Sequence, residues 1–289
     1  MSRYSNSRIE RAELDALRGE EQIARAIELM RKSIDLDLTR HAIGILGRAE
    51  SASLHDVLVE KYQWCDEQPH RRDGGAYIRS AIVRAIRPIS GPADVSLLLH
   101  AMQTYEHDAA WEVCSDLRAA AMMTMNDINP EITADFAVRF MHEPEATLSD
   151  EPALSAIRLL ASHGNLAPIF GTVSWGHGRT EVVAEGLRNL VELPDELVPI
   201  LVDQFIENEN EQIILGLFDL LLAHQTRDSW ANTIEGWFRM TTVMDLYGII
   251  AMQIVASRSD VLIGMLRDIR SEEVDSLRRG LLDQALELA

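Results

Sequence analysis

The sequence predicts an all-α protein, a right-handed α-solenoid of about seven helix pairs that forms a single domain over residues 1–289. The first observation behind this prediction is a repeat: an arginine near the start of a helix recurs as Arg40, Arg79 and Arg118, in two steps of 39 residues. A fixed period in this range is typical of helical solenoids, in which each helix pair needs its neighbours to bury its apolar face. The second is composition, because glycine and proline are sparse and stand mostly singly at apparent helix ends, which gives strands and hairpins little support.

The N-terminal half is predicted to combine ordinary helices with three motif helices that carry the repeated arginine. Apolar residues at i, i+4 and i+7, such as Ile23, Ile27 and Met30, give a helix one buried face. Residues 1–35 are predicted to cap the N-terminal end. In chain order, the predicted helices are 8–18, 20–33, a motif helix from Asp37 that Gly47 closes, a helix over 54–62, a motif helix from Ile78 that Pro88 terminates, 94–105, and a motif helix from Asp116.

The C-terminal half is predicted to consist of shorter helix pairs, beginning at Asn129-Pro130 with proline at the first helical position. The motif arginine is absent there, but pairs of a small and an apolar residue recur at steps of 30, 30 and 32, at Ala156-Ile157, Gly186-Leu187, Gly216-Leu217 and Gly248-Ile249. Residues 258–289 are predicted to form the C-terminal cap. The predicted pairs are 131–142 with 152–163, 166–175 with 180–192, 195–207 with 210–224, 228–239 with 242–257, and 260–270 with 273–288.

Two features of the sequence bear on location. The polar start of the chain contains no secretory signal, and the longest apolar run, Ile213 to Ala223, is interrupted by Asp219 and is too short to cross a membrane. We therefore expect no membrane segment and a cytoplasmic location. Cys65 and Cys114 lack metal-ligand spacing and are expected to be reduced, with Cys114 in the core.

The charge is distributed unevenly along the chain, whose formal net charge is −19. Residues 1–89 hold 15 Lys and Arg against 14 Asp and Glu, a net +1, whereas residues 90–289 hold 12 against 32, a net −20. Such asymmetry bears on partners more than on fold, and it predicts a basic protein partner for the acidic part. Solubility alone is the alternative explanation.

The motif helices resemble those of the HEAT-repeat family. In that family an Asp and an Arg at the head of the second helix form a ladder between neighbouring repeats, and a proline is common in the first helix, as Pro199 is here. The resemblance implies structural roles for Asp37 with Arg40, for Arg79, whose nearest match is the more distant Asp73, and for Asp116 with Arg118. It implies the predicted solenoid and a protein-binding scaffold or adaptor.

Enzymes built from similar repeats are the rival class. Deoxyhypusine hydroxylases hold two irons with repeated His-Glu pairs, but this chain has one such pair, His142-Glu143, directly before Pro144. The spacings of His100 with His107 and of His163 with His177 do not favour a metal site. No Gly-rich phosphate loop and no Gly-x-Ser-x-Gly motif occurs. We expect no cofactor.

Two other helical-repeat classes define the alternative function. Alkylpurine DNA glycosylases read damaged DNA with Trp and Asp side chains on a basic face. Trp111 and Asp116, together with the arginines that precede them in the sequence, resemble this arrangement. Nucleic acid is nevertheless not the expected ligand, because residues 90–289, the 200 residues after these arginines, carry a net −20. Phycobilin lyases, which are HEAT-like, carry a tetrapyrrole, but no residue here is diagnostic of them.

The candidate binding residues belong to two surfaces. Carboxylates on second helices are expected to line an acidic concave face, and they are Glu181, Glu185, Glu211 and Asp245. A basic patch that could take an acidic peptide or a phosphate, with a salt-bridged surface as the alternative, consists of Arg71, Arg72, Arg84 and Arg87. Trp175 is expected to be exposed in a loop, where an aromatic side chain can anchor a partner. The remaining tryptophans, Trp64, Trp111, Trp230 and Trp237, are expected in the core. The predicted function is a non-catalytic scaffold that presents the acidic surface to a protein.

Overall fold

The structure, a computed structural model, describes residues 3–109, 111–143, 149–176 and 178–289. Helix makes up 74% of it, and strand in this part of the chain is limited to one two-stranded hairpin. The predicted all-α class is therefore confirmed. None of the helices within the described ranges has both the length and the apolar character that a membrane span requires.

The chain divides into two compact units, Met1–Ala156 and Ile157–Ala289. In the N-terminal unit a small hairpin, in which His107 pairs with Glu112, lies between two helices. The elements in order are α1 (Arg3–Ala16), α2 (Gly19–Lys32), α3 (Leu36–Arg48), α4 (His55–Asp66), α5 (Pro69–Arg72), α6 (Tyr77–Ile86), α7 (Val95–Met102), β1 (His107–Asp108), β2 (Trp111–Glu112), α8 (Ser115–Asn126) and α9 (Pro130–Met141).

Side-chain caps explain several helix starts in this unit. The Asp35 carboxylate accepts a hydrogen bond from the Leu38 amide, so α3 begins just before the predicted Asp37. Asn129 caps α9 in the same way, with Pro130 at the first helical position as predicted. The predicted loop over 67–75 contains α5, a single turn that Pro69 begins.

The three motif helices, α3, α6 and α8, pack in succession within the N-terminal unit, and α2, α4 and α7 pack beside them. Their facing surfaces consist of small and apolar residues such as Ile43, Ile82 and Ala120. A Cβ at Gly47 would lie 3.0 Å from Ala85, so this glycine lets α3 and α6 approach closely.

In the C-terminal unit the helices lie close to their predicted positions. Helix α10 (Ala153–Ser162) contains the division between the units, and the helices that follow are α11 (Leu166–Ser174), α12 (Thr180–Arg188), α13 (Val198–Phe205), α14 (Glu211–Ala223), α15 (Ala231–Met240), α16 (Met244–Ala256), α17 (Asp260–Glu272) and α18 (Ser276–Leu286).

Helices α12, α14, α16 and α18 pack in succession in this unit, and α11 with α13 and α15 with α17 pack alongside. The small residues of the C-terminal pattern lie at these contacts. A Cβ at Gly216 would lie 2.6 Å from the Ala184 carbonyl oxygen, and one at Gly186 would meet Val173 at 2.4 Å. The sequence pattern therefore marks points where helices approach closely.

Candidate functional site

Arg79 is fully buried at the start of α6, among three carboxylates. Its Nη1 lies 2.9 Å from an Asp66 oxygen and 2.7 Å from a Glu106 oxygen, and its Nε lies 3.1 Å from Asp73. Asp73 also accepts hydrogen bonds from the amides of Ile78 and Arg79. Burial lowers the pKa of Arg79, but the hydrogen bonds that it donates to these carboxylates, and their charges, raise it more, so the guanidinium stays charged.

Arg118 has an equivalent environment at the start of α8. Its Nη1 lies 2.8 Å from Glu112, which β2 supplies, and its Nη2 lies 3.0 Å from Glu143, beyond the end of α9. Nη1 also donates to the Thr104 carbonyl at 3.1 Å, and the guanidinium carbon lies 4.1 Å from the Tyr105 ring centroid. Each of the two buried arginines therefore links the start of its own helix to neighbouring segments, through ion pairs with their carboxylates.

The partners differ from those that the HEAT ladder implies. Asp116 is exposed and forms no ion pair among the described residues, because Glu112 and Glu143 occupy the positions next to Arg118. Asp37 and Arg40 are exposed and no ion pair joins them; Arg40 instead lies over the Tyr77 ring, 5.7 Å from its centroid. Only Asp73, of the implied carboxylates, reaches a motif arginine.

The four predicted patch arginines do not form one surface. Arg87 binds Asp127 through two hydrogen bonds at the end of α6, and exposed Arg84 lines a groove with Arg40 and Arg48. Arg71 and Arg72 instead line a different cavity. The patch was predicted as continuous because Arg84 and Arg87 are three residues apart, but the helix ends between them.

The cavity that Arg71 and Arg72 line has a volume of about 640 Å³, and we call it the cationic cavity. It lies between the α2–α3 connection and the segment from α4 to α6. Its basic side chains are Arg31, Lys32, Lys61, Arg71 and Arg72, against one acid, Asp73. Lys61 Nζ lies 3.9 Å from the centroid of Trp64, and the Arg72 guanidinium carbon lies 4.5 Å from it.

The predicted acidic residues occupy different environments. Glu181, Glu211 and Asp245 lie in the first turns of α12, α14 and α16, where carboxylates interact favourably with the helix dipole. Glu185 is not available to a partner, because its side chain is only 12% exposed and lies 2.6 Å from Arg158. Burial raises the pKa of Glu185, but the hydrogen bond from Arg158 and its charge lower it overall.

A stronger acidic feature lies between Arg188 and Arg227, a stretch that contains no Lys or Arg and that we call the acidic segment. Its residues Asp195 and Asp219 are engaged with Gln225 and Arg188, respectively. Its other carboxylates are exposed and form no ion pair within the described ranges, and they are Glu192, Glu196, Asp203, Glu207, Glu209 and Glu211.

The tryptophans only partly match the prediction. Trp175 is 77% exposed at the end of α11, as expected, and its role in binding stays a prediction. Trp230 and Trp237 pack against the C-terminal core. Trp64 and Trp111, expected in the core, are exposed; Trp64 lies against the cations of Lys61 and Arg72, and Trp111 lies on the short hairpin.

The residues weighed for catalysis do not converge on one site. Among the described residues, no three His, Cys, Asp or Glu side chains lie together as a metal site. Glu143 pairs with Arg118, whereas Pro144 and His177 lie outside the described residues. Cys65 and Cys114 are buried free thiols, and burial raises the pKa of each to about 12.

Comparison with protein-family models, with curated proteins and with solved structures finds no match for this chain. The fold and its sites therefore define only a class, an all-helical protein of packed helix pairs with buried arginine clusters. Sequence reasoning missed Lys61, although a signal was present. Leu58, Lys61, Tyr62 and Cys65 follow the i, i+3, i+4, i+7 pattern, which places a lysine on the buried face of α4.

Proposed function

We propose that this chain is a non-catalytic scaffold that binds a basic protein through the acidic segment of its C-terminal unit. The observation that carries the proposal is the set of six exposed carboxylates in that segment that form no ion pair with a described residue. Since no side chain of the described chain neutralises them, lysines and arginines of a partner can do so. Complementary charge of this kind raises the association rate and the selectivity more than the affinity.

A right-handed, HEAT-like α-solenoid is part of this proposal. Its support is the succession of α3, α6 and α8 in one unit and of α12, α14, α16 and α18 in the other, with the intervening helices beside them. Stacked pairs of this kind offer extended surfaces for protein partners. A cytoplasmic location is also proposed, supported by the two free cysteines.

The test is capture of partners from a lysate of the source organism, followed by kinetics with the partner identified. We expect basic proteins to be captured, and we expect added salt to slow association more than it speeds dissociation. A charge-reversed variant, Glu196→Lys/Asp203→Lys/Glu207→Lys, should lose the partner while keeping its helical content and melting temperature.

The matched control is Glu13→Lys/Glu20→Lys/Glu21→Lys, which makes the same change of charge at exposed sites of α1 and α2. It should keep the partner. If the acidic-segment variant binds as well as the unmodified chain, or if the control loses binding equally, the acidic surface serves solubility alone and the proposal is wrong.

A further inference from the structure

Lys61 is a cation in a position where a protein normally places an apolar residue. It is only 7% exposed, between Leu58 and Tyr62 on the buried face of α4. Its ammonium group donates no hydrogen bond to a described residue and lies within ion-pair distance of none of their carboxylates; its close contact is the Trp64 ring. Burial lowers the pKa of Lys61, and the charge of Asp73 offsets only part of this shift. An uncompensated charge at this depth is unfavourable unless an anion approaches it.

Two positive charges of the cationic cavity have no ion-pair partner among the described residues. Arg31, Lys32 and Arg72 are each paired with a glutamate, at 2.9, 3.1 and 2.7 Å. Asp73, the acid in the lining, is already bound by Arg79. Lys61 and Arg71 therefore remain, and both line the same cavity.

The rest of the lining combines uncharged polar side chains, Ser33, Thr39 and Gln68, with apolar ones that are partly open to solvent. Ile34, which is 87% exposed, lies in the α2–α3 connection, Leu36 begins α3, and Trp64 provides an aromatic surface. A volume of about 640 Å³ is in the range of small-molecule sites. Exposed apolar side chains beside charged ones suit a ligand that has both an organic and an anionic part.

We propose that the cationic cavity binds a small phosphate monoester, with the phosphate facing Lys61 and Arg71 and the organic group against Trp64, Ile34 and Leu36. A phosphate monoester carries close to two negative charges at neutral pH and several acceptor oxygens, whereas a carboxylate carries one charge. Two uncompensated cations therefore match the phosphate better. This site is separate in sequence from the acidic segment, so it does not depend on the proposed scaffold function.

Isothermal titration calorimetry with the full chain tests the chemistry of the ligand, with phenyl phosphate as the probe. We expect saturable binding of phenyl phosphate, weaker binding of inorganic phosphate, which lacks the organic group, and weaker binding of benzoate, which has the ring but one charge. Benzoate that binds as tightly as phenyl phosphate would overturn the assignment to phosphate. Inorganic phosphate that binds as tightly would overturn the assignment to an ester.

Variants test the place of binding. Lys61→Met should weaken phenyl phosphate at least about 10-fold, the loss expected for one charge-assisted hydrogen bond. It should not lower the melting temperature, since it removes a buried charge without a partner. Arg71→Gln, at an exposed position, should also weaken binding and provides a second test of the cavity.

The control is Arg11→Gln. Arg11 is an exposed arginine of α1 outside the cavity, so this variant should keep its affinity for phenyl phosphate within about twofold, as expected for a surface charge. Unchanged affinity in both Lys61→Met and Arg71→Gln, or no saturable binding by the unmodified chain, would overturn the proposal.

Discussion

At the scale of single residues, the buried arginines show how charge can be placed inside a helical protein. Arg118 is surrounded by two carboxylates, a carbonyl oxygen and an aromatic ring, so its Nη1 and Nη2 donors find acceptors and its charge is compensated, whereas its buried Nε has no partner among the described residues. Such a cluster adds little stability compared with an apolar core, but removing one member leaves the others buried and unpaired.

We therefore expect Arg118→Ala to lower the free energy of unfolding by about 3–5 kcal/mol, because Glu112 and Glu143 would lose their counter-charge. Arg139→Ala is the control. Arg139 is exposed on α9, and its loss should cost under about 1 kcal/mol. Urea unfolding of both variants measures the difference, and equal midpoints would show that the cluster does not contribute.

His55 predicts a pH dependence of stability. A hydrogen bond with Asp56, and then one with Asp94 at 2.8 Å, raise the pKa of His55 although burial lowers it. Because the pKa of His55 is higher in the folded state than in the unfolded state, its protonated form stabilises the fold. This stabilisation is fully present below the unfolded-state pKa of about 6.5 and is lost as the pH rises through the folded-state pKa.

The free energy of unfolding should therefore fall as the pH rises from about 6 to about 8. The His55→Asn variant, which has no group that titrates at this position, should lack this part of the decrease. The effect should be under about 1 kcal/mol, because the His55 side chain is partly exposed. Urea titrations of the two proteins across this range measure it. Parallel stability curves for both would contradict the assignment.

The sequence identified Arg79 and Arg118 through their period, but not the carboxylates around them. Glu106, Glu112 and Glu143 lie in or beside connections, where no periodic pattern fixes a position. Of the cations in the cationic cavity, the sequence analysis identified only Arg71 and Arg72. Lys61 was missed for a different reason, because it lies on the periodic face of α4 that the sequence assigns to the core.

At the scale of elements, close approach between helices depends on particular glycines. Helices α12 and α14 are in contact where Gly216 faces the Ala184 backbone. A side chain at this point would force the helices apart, since tightly packed interiors do not absorb added atoms.

Gly216→Ala should destabilise the chain by about 1–3 kcal/mol, because overpacking outweighs the gain in helix propensity. The matched variant is Gly264→Ala on α17, where a Cβ meets no atom within 4 Å. That change should stabilise by about 0.5–1 kcal/mol through propensity alone. Thermal melting of both variants measures the contrast, and a shift of the same sign in both would contradict the contact.

Helix positions followed well from the sequence because amphipathic spacing and end signals are local. The C-terminal helices α11 to α18 all fall within their predicted ranges or within two residues of them. The hairpin and α5 were not foreseen, because both are too short to show a period. The division within α10 also had no signal, since no glycine- or proline-rich linker marks it.

At the scale of the whole molecule, charge restricts the partners. Both units are acidic: residues 157–289 hold 10 Lys and Arg against 20 Asp and Glu, and the remainder hold 17 against 26. The unpaired carboxylates add repulsion toward any polyanion, although the cationic cavity offers a local exception for a small one.

We therefore expect duplex DNA to bind no tighter than about 100 µM at moderate salt, the weak end of non-specific affinity. Fluorescence anisotropy with a labelled duplex measures this. A micromolar, salt-dependent affinity would contradict it and would direct attention to Trp111 and Asp116, both exposed beside the hairpin. Asp116→Asn would then be the informative variant.

The buried arginines also restrict how this chain could have changed in evolution. Arg79 on α6 relies on Glu106, which follows the next helix, and Arg118 on α8 relies on Glu143, which again follows the next helix. Loss or duplication of one N-terminal helix pair would therefore leave a buried guanidinium without its carboxylate partner. Within the C-terminal pairs, the short connections 206–210, 241–243 and 273–275 join the two helices of a pair, and no equivalent cluster occurs there among the described residues. Their number could drift from one lineage to another, whereas the N-terminal pairs have to be inherited as a block.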